Sequence, residues 1–156
     1  MELGKKIRVL VVDDSALARN LIIQGLSAHP RMEIVGYAIN TLDAKQKIPR
    51  LKPDVVTMDV EMPGQSGIDF LKEYLPANPV PVILCSSLNL KVFDALNAGA
   101  VDFVRKPDVQ ESKEVFISNL TQKVLVASMA RPRSAPLRSP SIVEATPTLG
   151  GGPALD

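Results

Sequence analysis

Four short runs of apolar and β-branched residues, over 7–12, 54–58, 80–85 and 101–104, limit what this chain can fold into more than any other feature. A fifth, over 33–38, is more mixed. The runs at 7–12, 80–85 and 101–104 are nearly continuously apolar. That is the pattern of strands covered on both faces in a parallel sheet. Between the runs the spacing turns helical. Residues 15–28 place Leu17, Leu21, Ile22 and Leu26 on one face and close at His29-Pro30. A helix from Thr41 is expected to end or kink at Pro49, which lacks an N–H and crowds the preceding turn. Residues 67–75 bring Ile68, Leu71 and Leu75 together before Pro76, and residues 90–98 stop at Gly99, a suitable left-handed C′ position. Asp108 and Glu111 have capping-box spacing ahead of a last helix that repeats Phe116, Ile117, Leu120 and Val124 on one side. Strand and helix thus alternate five times, which predicts a three-layer α/β fold with right-handed crossovers.

At 156 residues the chain is long enough for one good core and too short for two ordinary domains. The last 26 residues, 131–156, hold five of the thirteen prolines and a Gly-Gly-Gly run without apolar periodicity. They read as a disordered tail or linker, unable to bury enough surface to offset their ordering entropy. The expected division is therefore a domain over 1–130 and a tail over 131–156. Fifteen basic and fifteen acidic residues fall in the first 130, so nothing resembles a basic footprint for nucleic acid or an anionic membrane. No stretch is long enough to span a bilayer, and the apolar run near the N-terminus is too short for a signal sequence. The single cysteine, Cys85, can form no internal disulfide and fits a reducing cytoplasm.

The polar residues at the strand ends carry the chemistry. Asp13 and Asp14 follow the first run, Asp59 ends the third strand in chain order, Ser86 ends the fourth and Lys106 follows the fifth. Ligands of open α/β sheets bind outside the carboxyl ends of the strands, where all five converge. Three clustered carboxylates cannot all stay ionised without a cation or a proton. An oxygen-rich site that retains water suits Mg²⁺. A lysine and a serine hydroxyl beside it can hold phosphoryl oxygens. The set fits phosphoryl transfer to a carboxylate, and Asp59, fixed at the end of a central strand, is the best-placed acceptor.

VLVVDDSALAR, PDVVTMDVEMPGQSGIDFL, PVILCSS and AGAVDFVRKP, in this order and spacing, resemble the receiver domain of two-component response regulators. The resemblance spans roughly residues 6 to 125, and DVEMPG, Ser86-Ser87 and GAVDFVRKP are similar in particular to the receiver half of chemotaxis-type protein-glutamate methylesterases. It implies a flavodoxin-like sheet of order 2-1-3-4-5, with Asp59 as phosphoacceptor for a histidine kinase of the chemotaxis type. It further implies that Asp14 and Asp59 ligate Mg²⁺ directly, that Asp13 holds a metal-bound water and that the backbone carbonyl of Glu61 completes the protein ligands. Ser86 would be the switch hydroxyl, Phe103 the aromatic ring that moves with it, and Lys106 the phosphoryl-binding lysine before a cis Pro107. A surface at the last helices would engage an effector or target protein.

A methylesterase also needs a serine nucleophile and a histidine base in a second α/β domain. The only histidine here is His29, so the chain reads as a regulatory phosphoreceiver without that activity. Blander readings apply to single residues. Asp13-Asp14 suits a helix N-terminus, Asp59 a turn, Lys106 a solvated loop, Ser86 a strand end and Phe103 a core. Cys85 reads as packed in the core and His29 as a surface residue closing a helix. Two other classes share parts of the pattern. An aspartyl-phosphate phosphatase would use Glu61, two residues after Asp59, as general acid, but the short loops leave no substrate pocket. A flavodoxin-like cofactor binder would need a phosphate-cradling first loop, whereas this one is Asp-Asp-Ser.

Overall fold

The computed structural model describes residues 5–87 and 92–130; the expected tail over 131–156 lies outside them. Five strands alternate with five helices: β1 (Ile7–Val12), α1 (Ala16–Ser27), β2 (Met32–Ala38), α2 (Thr41–Leu51), β3 (Val55–Asp59), α3 (Gly67–Tyr74), β4 (Val82–Ser86), α4 (Val92–Asn97), β5 (Asp102–Arg105) and α5 (Lys113–Ala130). The strands pair in parallel in the order β2-β1-β3-β4-β5, so β3 is central.

Alternation along the strands divides the interior into two apolar layers. Leu10 and Val12 of β1, with Val56 and Met58 of β3, face one layer, where Ala44 and Ile48 of α2, Phe70 and Leu71 of α3 and Ala95 of α4 cover them. Ile7, Val9 and Val11 face the other, with Ile22 and Leu26 of α1 and Phe116, Leu120 and Val124 of α5. Most of these side chains are fully buried, the Val, Leu, Ile, Met and Phe side chains each contributing about 1.5–3 kcal/mol. This apolar interior is what fixes the strand ends rigidly.

Several helix ends differ from the sequence expectation. α2 runs through Pro49 to Leu51 and stops at Lys52, which takes a left-handed conformation and donates its N–H to Ile48 O. Pro49 lies in the last turn, where its missing N–H leaves the Lys45 carbonyl without its helix donor, and Arg8 Nη2 donates to the terminal Leu51 carbonyl at 2.6 Å. The Asp108–Glu111 box does form, with reciprocal N–H bonds of 3.1 Å. It closes a separate turn, because Ser112 is the residue that caps α5, its Oγ accepting from Val115 N at 3.1 Å. Leu17, placed by spacing on the buried face of α1, is 85% exposed. Gly99 meets the expectation, with φ +108° just past α4.

Candidate functional site

The carboxyl ends of β1, β3, β4 and β5 carry the five singled-out side chains. Beyond β1, Asp13 N still donates to Ala38 O at 3.0 Å, which keeps the first carboxylate in register with the sheet. The cap of α1 is Ser15, whose Oγ accepts from Ala18 N, so neither aspartate is needed as the helix cap. Asp13 instead accepts from Ser15 N at 2.9 Å and is fully buried, while Asp14 is exposed. Asp59 is the last residue of β3, opposite Cys85. Ser86 is the last residue of β4, and its carbonyl accepts from Lys106 N at 2.7 Å, bringing the lysine back over the strand ends.

Electrostatics bind these pieces together. Lys106 Nζ lies 2.7 Å from Asp13 Oδ2 and 3.1 Å from Asp59 Oδ1. Among the described residues these two buried oxygens have no further hydrogen-bond donor. One ligand oxygen each from Asp13, Asp14 and Asp59 lie within 4.8 Å of one another. Burial, reinforced by the negative charge of Asp13, pushes the Asp59 carboxyl up to about 7, against the opposing pull of Lys106. Burial works against the charge on Lys106, but the hydrogen bond and charge of Asp13, joined by Asp59, outweigh it and hold the ammonium above its ordinary pKa. Two carboxylates thus share one ammonium, with a third, Asp14, close beside them. The donor set is all oxygen, negatively charged and open on the Asp14 side, which fits a hard divalent cation that keeps some of its water.

Phe103 stands apart from this cluster. It pairs with Leu84 across the sheet and packs, half-buried, against the α2–α4 side of the core. It also lines a surface cleft of about 460 Å³ with Pro107 and Phe116. The Lys106–Pro107 bond is trans, contrary to the expected cis bond; trans is the lower-energy X-Pro isomer, and in it Lys106 already reaches both carboxylates. Cys85 is a core residue whose thiol burial pushes up to about 12. His29 Nδ1 accepts from Arg31 N in the turn after α1, a structural role.

Three features escaped the sequence reading. The Glu61 side chain, given no role in the switch, accepts a hydrogen bond from Ser86 Oγ at 2.5 Å. Its position in the short loop after Asp59 was the available signal. Gly67, opening α3, lies so close to β3 that an added Cβ would stand 2.4 Å from Asp59 O, so a bare backbone is needed there to seat the acidic strand end. Arg19 adds support, its Nη1 donating to Asp13 O at 3.0 Å while its guanidinium lies 4.6 Å from the Tyr37 ring centre.

Comparison with known proteins bears on the fold and the family. The response regulator receiver domain model matches residues 9–116. A protein-glutamate methylesterase/protein-glutamine glutaminase 2 of Syntrophomonas wolfei is 46% identical over 129 residues, covering 81% of this chain and 38% of that protein. The chain therefore spans little more than a third of that relative. The crystal structure of the response regulator domain of Thermotoga maritima CheB superposes with TM-score 0.75 at 40% identity, covering 82% of this chain and all of that one. CheY in a CheX–CheY–BeF3–Mg²⁺ complex from Borrelia burgdorferi is similar at 27% identity and TM-score 0.68, covering 79% of this chain and 90% of that one. Fold, acidic strand ends and the match over residues 9–116 lead to one conclusion: the chain belongs to the response regulator receiver family, and its relatives are the receiver parts of CheB methylesterases.

Proposed function

We propose that this chain is a phosphorylation switch in which Asp59 accepts a phosphoryl group from the phosphohistidine of a chemotaxis-type histidine kinase. The observation that carries the reading is the placement of a buried Asp59 carboxylate at the end of the central strand, 3.1 Å from Lys106 and clustered with Asp13 and Asp14. A carboxylate oxygen of Asp59 attacks phosphorus; the N–P bond of the donor breaks and its electron pair stays on the imidazole. Lys106 pairs with one phosphoryl oxygen and the Ser86 hydroxyl donates to another. Asp14, Asp59 and the Glu61 backbone carbonyl are the residues assigned to hold Mg²⁺, with Asp13 anchoring one of its waters. Bound Mg²⁺ supplies positive charge against the carboxylates and the incoming phosphoryl group.

The readout follows from the same edge. Phe103 sits on β5, two residues before Arg105, the partner of Ser86 in the sheet. Movement of its ring with the hydroxyl would alter the β5–α5 surface that a target protein reads. The methylesterase activity in the relatives' names belongs to proteins of which this chain spans about 38%. A cytoplasmic location is proposed with the kinase; no helix among the described residues is long and apolar enough to cross a membrane.

Intact-mass measurement with Mg²⁺ and acetyl phosphate tests the reading. Wild-type protein is expected to gain one base-labile phosphoryl adduct, and Asp59→Asn to gain none. Labelling that persists in Asp59→Asn would overturn the assignment.

A further inference from the structure

The Ser86 hydroxyl has one proton, and in this structure that proton is directed at Glu61 Oε2 across 2.5 Å. Ser86 is fully buried on a rigid strand, whereas Glu61 is half-buried on the loop between β3 and α3. The contact is charge-assisted, the stronger kind of hydrogen bond. Lys106, with three N–H donors, is differently placed: it already serves Asp13 and Asp59 and can turn a donor to a third oxygen without abandoning both. Ser86 has no such reserve.

We propose that Glu61 is a latch on Ser86, holding its hydroxyl proton in the unphosphorylated protein and having to release it before the phosphoryl group can be engaged. The proposal rests on the phosphoacceptor reading above and adds a residue that sets its threshold. Two effects act in the same direction. The proton cannot be given to Glu61 and to a phosphoryl oxygen at once, and a phosphoryl group beside Asp59 repels the Glu61 carboxylate. Being on a half-exposed loop, Glu61 can swing into water, which hydrates the freed charge and offsets part of the lost bond. Glu61 and the phosphoryl group thus compete for one donor, and the latch biases a two-state equilibrium toward the unengaged state.

Beryllofluoride, which binds an aspartate as a phosphoryl mimic without turnover, separates the possibilities. Its apparent Kd on the Mg²⁺-loaded protein is measured by NMR for wild type, Glu61→Ala, Ser86→Ala and the double variant. Glu61→Ala is expected to bind about fivefold more tightly, the charge-assisted bond being partly offset by hydration of the released carboxylate. Glu61→Gln, which keeps an uncharged acceptor of the same size, should fall between it and wild type. In the Ser86→Ala background the gain should disappear. Unchanged affinity in Glu61→Ala overturns the latch, and so does a gain of equal size without Ser86, which would make Glu61 a repelling charge only. A metal-free readout stands beside these: urea unfolding of the same four proteins should show a non-additive Glu61–Ser86 coupling, and additivity would count against the latch. If the wild type binds no beryllofluoride with Mg²⁺, the phosphoacceptor reading itself fails and the latch with it.

Discussion

The two ends of this sheet use aspartate in opposite ways. At the amino end, Asp54 Oδ2 accepts from Arg8 N at 2.9 Å while Asp54 N donates to Arg8 O at 2.8 Å, and Arg8 Nη2 reaches Leu51 O. That carboxylate is matched by donors already fixed in the fold. At the carboxyl end, Asp13 and Asp59 share the ammonium of Lys106 with Asp14 clustered beside them, and two of the buried oxygens have no other donor among the described residues. The first aspartate ties the start of β3 to β1, and Arg8 carries the link on to the end of α2. The second group holds unsatisfied charge at a place the sheet will not let relax. Such a cluster raises the free energy of the fold, and a bound cation would relieve it.

Replacing Lys106 breaks the comparison most severely. Lys106→Met should cost about 2–4 kcal/mol in metal-free protein, because it leaves buried carboxylates without their cation. Saturating Mg²⁺ should recover much of that loss in urea melts; no recovery would mean that Lys106 serves as structurally as Arg8 does.

The next effect is on pH. The Asp59 carboxyl is raised from 3.8 to about 7, so the folded metal-free chain retains a proton that the unfolded chain releases. Its contribution to stability is fully present below about 3.8 and is lost as pH rises through about 7. Metal-free stability should therefore fall across this window by more in wild type than in Asp59→Asn. Mg²⁺ affinity should rise over the same range and level off above it, because the ligand must lose its proton. Calorimetric titration at pH 6 and pH 8 checks the second half, and an affinity independent of pH would refute it.

The smallest effect belongs to the amino end. Asp54→Asn should cost about 1 kcal/mol, one hydrogen bond to a carboxylate weakened. The loss should be the same with and without Mg²⁺, and a Mg²⁺-dependent loss would show that the two ends are not independent.

Much of this was legible from pattern. The continuously apolar runs of β1 and β4 announced strands covered on both faces, and five strand–helix alternations left a parallel sheet as the economical fold. The aspartates, Ser86 and Lys106 were legible because polar residues at the ends of apolar strands must converge on one edge. Local detail was less so. Pro49 was expected to end or kink α2, yet the helix continues through it to Leu51 and closes at left-handed Lys52. Asp108 and Glu111 formed their box on a turn, since spacing does not say which of two nearby polar residues caps the helix. Leu17 has helical spacing, yet among the described residues its side chain stays 85% exposed.

By itself the sequence determined the element order, the strand-end position of Asp59 and the kinds of side chain gathered around it. These follow from periodicity and chain connectivity, which are written residue by residue. Only the tertiary structure decided who holds whom: that Lys106 joins Asp13 to Asp59, that Arg19 steadies the Asp13 carbonyl and that the Ser86 proton goes to Glu61. Hydrogen bonds and ion pairs depend on ångström distances between groups far apart in the chain. Those distances are set by packing, and Asp59 is therefore a charged residue at a strand end in the sequence, and a buried carboxylate with neighbours competing over its surroundings in the fold.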